Sequence, residues 1–419
     1  MGRPGKKLGP HAWFKDMSNP VTDLIHHAYA PPAGFEAPQP GVFKASTIFF
    51  NSVADMRGRY RSIMDNDSYT YGLRGTPTTY LLEERLCALE GGERCLLVPS
   101  GLAAIGLVSL ALLKSGDEVL FPDNVYGPSK SLAEGVLKDW GITHQYYDPM
   151  DPQDLEAQIS SRTKLVWLEA AGSVTLEFPD LLALVRICKQ RKVLTALDNT
   201  WGAGLAFKPF DLVPDASPAL GVDISTHALT KYPSGGGDVL MGSVMVRDRA
   251  LHKLLKLTHL RLGLGVGMND VEAILRSLPS IALRYRAHDE ATRALALWAD
   301  TQPEFVQVLH PSLPGSPGHK HWKELCVNGF GGAAGLVSVI LDERFTQEQT
   351  DAFCDALKLF RLGYSWGGPI SLVVPYDLTD MRTVWPTYLE KGTLVRFSIG
   401  LEDVLDLQQD IDQALRVLR

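Results

Sequence analysis

The stretch RCLLVPSGLAAIGLVSLALLKSGDEVLFPD, from Arg94 to Asp123, switches its apolar period twice. RCLLV is a short, continuous apolar run that breaks at Pro99-Ser100-Gly101, the pattern of a strand buried on both faces. LAAIGLVSLALLKSGD then runs too long for a strand and is expected to be a helix closed by Gly116. EVLFPD returns to strand character. Strand, helix and strand in succession are the start of an alternation that builds mostly parallel sheets.

Outward from that unit the alternation continues. SKSLAEGVLKDWG reads as a helix, THQYYD and TKLVWLEA as strands, DLLALVRICKQRK as a helix, and VLTALDNT as a strand that stops at Asp198. Such repetition predicts an α/β architecture, a mostly parallel sheet with helices on both faces. Ligands of open sheets of this kind bind beyond the carboxyl ends of the strands, where Ser100-Gly101, Asp123, Asp198 and Lys231 all fall. Residues 1–64 form a Pro-rich arm with VFKASTIFF as its one strand-like piece, and 65–265 a large domain. From Val266 the pattern shifts to long helices and short strands (LVSVIL, TLVRFSIG), so 266–419 reads as a smaller α+β domain.

Composition excludes several function classes. The 419 residues are 45% hydrophobic and 21% charged, which suits a chain folded throughout. Lys+Arg 41 against Asp+Glu 48 leaves a net charge of -7, with no basic block to follow a phosphate backbone, so nucleic acid is not an expected partner. MGRPGKKLGPHAWFKD is basic but lacks the apolar run of a secretory signal, and no apolar stretch reaches the about 20 residues that span a bilayer. A cytoplasmic enzyme is the expectation. The five cysteines (Cys87, Cys95, Cys188, Cys326, Cys354) are scattered, and reduced, mostly buried thiols are expected. His310, His319 and His321 in HPSLPGSPGHKHW lack a cysteine or acidic partner at a usual spacing, so a solvated loop is expected there and no metal site.

Four features carry chemistry. Lys231 in STHALTKYPSGGGD follows an apolar strand and precedes Gly235, Gly236 and Gly237, which allow close backbone approach to a ligand. A lone lysine in a polar loop is usually just solvated. Asp198 ends an apolar run and suits a carboxylate that holds a proton on a pyridine nitrogen; the bland alternative is an Asx turn. PSGLAAIG opens a helix after a small-residue turn, a ready anion site, although any helix after a glycine looks similar. Arg396 in LVRFSIG is either a surface ion-pair partner or a two-pronged clamp for a carboxylate.

Taken in order, Gly101, Tyr126, Asp198 and Lys231 resemble the Cys/Met-metabolism branch of the fold-type I pyridoxal-phosphate enzymes. The likeness extends through YGLRGTPT, LEGGERCLLVPSGLAA, DNVYGPS, LDNTWGAG, THALTKYPSGGGDVLMGSV, GYSWGG and LVRFSIGLEDVLDL. It implies a seven-stranded sheet, pyridoxal 5'-phosphate joined to Lys231, and Asp198 on the ring nitrogen. Tyr126 would stack on the ring, Gly101 and Leu102 would give backbone donors to the phosphate, and Thr230 would add a hydroxyl. The family's Tyr-x-Arg pattern sends a tyrosine and an arginine onto a neighbouring subunit's phosphate. Tyr71 fills the first position, Leu73 replaces the arginine, and Arg74 is the candidate substitute. Ala228 stands where relatives often carry a serine, with Thr226 as the candidate to replace its hydroxyl.

The resemblance also places Arg396, Ser365, Tyr364 and Trp366 around the substrate. Members that handle γ-substituents resemble ESLGG before the serine, whereas this chain has Tyr364-Ser365-Trp366, similar to the β-lyase branch. β-Elimination from a sulfur amino acid such as L-cystathionine is therefore expected, with a thiol, pyruvate and ammonia released. The leaving sulfur would take its proton from Lys231 or Tyr71. γ-Elimination, γ-replacement and sulfhydrylase chemistry are the alternatives, and transamination a remote one. Shared sites imply at least a dimer and a homotetramer built from two such dimers.

Overall fold

The structure, a computed structural model, describes residues 20–26, 33–34, 37–59, 68–213, 216–217, 219–327, 331–379 and 381–419. Its larger sheet contains β1 (Arg94–Val98), β2 (Glu118–Pro122), β3 (Thr143–Tyr147), β4 (Thr163–Glu169), β5 (Leu194–Asp198), β6 (Ile224–Ala228) and β7 (Gly242–Val246). They lie in the order β1-β7-β6-β5-β4-β2-β3. Only β7 runs antiparallel to its neighbours, β1 and β6. Every residue of β2 and β7 is buried, because helices cover both faces and the strands need no polar side. One face packs Val98, Phe121, Trp167 and Val244 under the helix Gly101–Leu112; the other packs Leu97, Leu120, Leu168 and Leu197 with Leu86 and Val185.

The helix after β1 ends sooner than its sequence suggests. Ser100 caps it, and it stops at Leu112, where Leu113 turns extended and buries its side chain; Gly116 lies beyond, at φ 92° in the turn to β2. Burying Leu113 outweighs another turn of helix. The strand-like VFKASTIFF forms no strand. Among the described residues it pairs with no strand, and its surroundings hold it piecemeal: Phe43 N–H donates to Thr78 Oγ1 (2.8 Å), and Gly72 N–H to Ser46 O. Phe49 is left 93% exposed.

A second, smaller sheet holds β8 (Phe305–Leu309), β9 (Leu336–Asp342), β10 (Arg361–Leu362), β11 (Leu372–Tyr376) and β12 (Gly392–Ser398), ordered β10-β11-β12-β9-β8. One face packs Val339, Val373, Val395 and Phe397 against helices Ile281–Ala299, Gln347–Ala356 and Val404–Leu415. The opposite face turns toward the larger sheet, where Ser338 Oγ donates to Val174 O (2.6 Å) and Ile340 and Leu394 pack on Val174. Helix Ile281–Ala299 joins the two units, since Tyr285 and His288 pack on Tyr232 while Leu295 and Ala296 enter the small core.

The histidine segment departs from expectation. His310 is fully buried at the end of β8 with Nδ1 paired to Ser312, and His319 and His321 belong to the helix His319–Cys326. Among the described residues no cluster of His, Cys, Asp and Glu could hold a metal. All five cysteines are free, four of them buried. No described helix is long and apolar enough to cross a membrane.

Burial lowers the pKa of His310 to about 3 and of His252 to about 4, from 6.5. These groups stay neutral when folded and take up protons on unfolding. The stability tied to their neutrality is thus complete above pH 6.5 and is lost as pH falls through that value toward the folded pKa. Each contributes a slope of up to about 1.4 kcal/mol per pH unit in that window. The urea midpoint is expected to drop between pH 7 and pH 5, and by less in the double variant His252→Gln/His310→Gln; an equal drop in both proteins would contradict this.

Candidate active site

Four loops beyond the carboxyl ends of β1, β2, β5 and β6 meet on one side of the larger sheet, facing the loops of the smaller one. After β1, Ser100 Oγ accepts the N–H of Ala103 (3.0 Å) and its carbonyl that of Ala104, whereas the N–H groups of Gly101 and Leu102 have no acceptor among the described residues. A Cβ on Gly101 would come within 2.7 Å of the Ala228 Cβ, so glycine is required for this helix start to press against β6. The two free donors and the helix dipole suit this start to an anion such as a phosphate.

Asp198 closes β5. Its Oδ1 accepts both the N–H (3.0 Å) and Oγ1 (2.5 Å) of Thr200, whose hydroxyl oxygen in turn accepts the N–H of Ala228 (2.9 Å). Burial pushes the Asp198 carboxyl up from its ordinary value, against the Thr200 bonds and the charges of His227 and Lys231. Beside it, in register on β4, stands Glu169, which accepts the backbone N–H of Tyr126 (3.0 Å). Burial first, and then the Asp198 charge, lift Glu169 to about 8. Burial thus disfavours the ionised form of both carboxyls, and the charge on Asp198 raises that of Glu169 further.

Lys231 follows β6. Burial lowers its amine to about 8, assisted by the charge of Arg396 and opposed by Asp198. Nζ donates to Ser365 Oγ (3.0 Å) and lies 5.6 Å from the Trp366 ring centroid. Ser365 reaches this position with φ 125°, a strained value for a residue with a side chain, while Gly367 sits at φ 76° where a Cβ would come within 3.0 Å of Tyr232 N.

Arg396 on β12 is buried and its Nε has no hydrogen-bond partner; no carboxylate lies within ion-pair distance among the described residues. Tyr376, Tyr364 and Tyr126 surround it electrostatically. Tyr126 is 42% exposed and Tyr364 81% exposed, as befits side chains at a ligand entrance.

Several expectations change. The glycine run does not clear space for a ligand: a Cβ on Gly235 would strike Arg284 at 2.2 Å, one on Gly236 would meet Asp238 at 2.5 Å, and Gly237 has open space. Positive φ at Gly235 and Gly237 is the stronger reason for glycine there. Thr230 Oγ1 donates to Met241 O (3.4 Å) and accepts the Met241 N–H (3.3 Å), and Thr226 Oγ1 donates to Leu197 O (3.3 Å). Arg74 Nη1 donates to Thr70 Oγ1 (3.2 Å), and Leu73 packs where a Cβ on Gly265 would sit. A hollow of about 380 Å³ bordered by Asp123, Asp148, Arg382 and Tyr388 lies in the seam between the sheets, lined by none of Lys231, Asp198 or Arg396. Sequence reading missed Glu169, Thr200 and Tyr376. Glu169 alone was legible, as a second carboxylate ending an apolar strand.

The residues present fit a phosphorylated, aldehyde-bearing pyridine: two free backbone donors at a helix start, a desolvated amine and a buried carboxylate. Comparison with known proteins agrees. The profile of the family described as Cys/Met metabolism PLP-dependent enzyme matches residues 21–416. Cystathionine beta-lyase MetC of Escherichia coli K12 is 34% identical over 88% of this chain and 91% of its own. The L-alanine/L-glutamate racemase of Wolbachia pipientis wMel is also 34% identical, over 90% and 92%. The crystal structure of metB from Corynebacterium glutamicum superposes with a TM-score of 0.83 at 27% identity, covering 96% of this chain and 99% of that one.

Proposed function

The chain belongs to the Cys/Met metabolism PLP-dependent enzyme family, and from that premise we propose that it is a carbon–sulfur β-lyase that cleaves L-cystathionine to homocysteine, pyruvate and ammonia. The observation that carries this reading is the juxtaposition of a desolvated Lys231, hydrogen-bonded to Ser365, with an Arg396 whose charge no carboxylate among the described residues neutralises.

Bound pyridoxal phosphate supplies an aldehyde that captures an amine and a ring that takes up the electron pair of the α-carbon. The chain does the rest. Gly101 and Leu102 N–H groups would hold the cofactor's phosphate, Tyr126 would pack against its ring, and Asp198 would keep the ring nitrogen protonated. Arg396 grips the substrate carboxylate in a two-pronged pair, and Ser365 keeps the Lys231 amine aimed at the α-carbon. Because its amine ionises near 8, Lys231 is neutral often enough at physiological pH to remove the α-proton. The thiolate leaves with a proton from Lys231 or from Tyr71 of a neighbouring copy.

Tyr364 and Trp366 flank Ser365 where a glutamate would be needed to hold a distal amino group, which favours β- over γ-cleavage. A racemase among the relatives shares the early steps, so the test must use a substrate with a leaving group. With L-cystathionine the expected keto acid is pyruvate; predominant 2-oxobutyrate, or no keto acid at all, would overturn the assignment.

From the family's Tyr-x-Arg pattern, we assign Tyr71 and Arg74 to the phosphate of a second copy, within a cytoplasmic homotetramer formed from two such pairs. Sedimentation should find no fully active monomer.

A further inference from the structure

Arg396 has a charge and an orphaned donor, yet something must hold its guanidinium still. The antiparallel register of β11 and β12 sets Arg396 opposite Val374, which puts Tyr376 diagonally beside it on the same face. The guanidinium carbon lies 5.3 Å from the Tyr376 ring centroid, within cation–π range. We propose that Tyr376 is a positioning residue: its ring face is the shelf that orients Arg396 toward the substrate carboxylate. The proposal rests on the assignment of Arg396 as the carboxylate clamp.

The choice of an aromatic support has a chemical reason. A carboxylate beside Arg396 would orient it equally well but would neutralise the charge and compete with the ligand. A ring face attracts the cation through its quadrupole and leaves the charge and the outward N–H groups available. The neighbouring tyrosines are less suited. Tyr364 is largely in solvent, and Tyr126 sits on the larger sheet, whereas Tyr376 shares a rigid ladder with Arg396. Tyr376 also ends its strand just before Leu378, Met381 and Trp385, which pack against the same small-sheet face, so the shelf is anchored from below.

The test separates the carboxylate from the amine. Holoenzyme is titrated with L-alanine, which has no leaving group, and with ethylamine, the same skeleton without the carboxylate, and the cofactor absorbance is followed. Tyr376→Leu is expected to weaken L-alanine about tenfold and ethylamine less than about twofold, while Tyr376→Phe, which keeps the ring, binds both as the parent does. Unchanged L-alanine affinity in Tyr376→Leu, equal weakening of both ligands, or a Phe variant that behaves like Leu would each overturn the proposal. If Tyr376→Leu does not hold cofactor, Tyr376→Met is read in the same way. Arg396→Ala is the control. Loss of carboxylate preference there, without it in Tyr376→Leu, refutes the shelf and spares the clamp; no loss in either refutes the clamp itself. A failed cystathionine assay affects neither result.

Discussion

Lys231→Ala should lower turnover of L-cystathionine by about 10⁴-fold, because it removes both the anchoring amine and the base that takes the α-proton. The loss should appear in kcat and not as a folding defect. Lys231 makes one side-chain hydrogen bond, to Ser365, and its amine is held partly desolvated at a cost; alanine relieves that cost, so Tm should stay level or rise slightly. A variant within tenfold of the parent would mean that some other group performs the proton transfer.

Arg396→Ala has the second largest expected effect. Two charge-assisted hydrogen bonds to a carboxylate are worth roughly 3–6 kcal/mol together, so kcat/KM should fall by a factor on the order of 10³. Arg396→Lys should recover little, since a point charge cannot make the fork-shaped pair. A second signature follows from the site's electrostatics. Arg396 helps to depress the Lys231 amine, so its removal should raise that pKa and move the onset of the free-amine form to higher pH. A loss of less than tenfold, with the pH profile unmoved, would remove Arg396 from the substrate's carboxylate.

Much of this was legible in the chain itself, for identifiable reasons. Strands buried on both faces need unbroken apolar runs, so RCLLV, EVLFP and LTALD announced a covered parallel sheet, and each run's end marked the side where ligands bind. Lys231, Asp198 and Gly101 fall at such ends and were found that way. Other features depend on register or packing that a single strand does not encode. Glu169 becomes a partner of Asp198 only because β4 and β5 align them, and Tyr376 reaches Arg396 only across the β11–β12 ladder. VFKASTIFF has strand-like residues but pairs with no strand among the described residues. His310 sits in a polar, proline-rich stretch that the fold nevertheless buries, and the helix after β1 ends at Leu112 because burial of Leu113 decides it. The glycines after Lys231 misled through a sound premise: they do permit close approach, but what approaches Gly235 is Arg284.

The anchoring lysine offers the most direct test of the whole scheme. Lys208 makes a fair rival, since burial lowers its amine to about 8 as well, but its Nζ donates to the carbonyls of Leu89 and Gly204 and has no neighbouring anion cradle. Purified protein supplied with pyridoxal phosphate, reduced with borohydride and mapped by peptide mass should carry the cofactor on the peptide containing Lys231. Label on Lys208 or another lysine, or no label at all, would contradict the site described above.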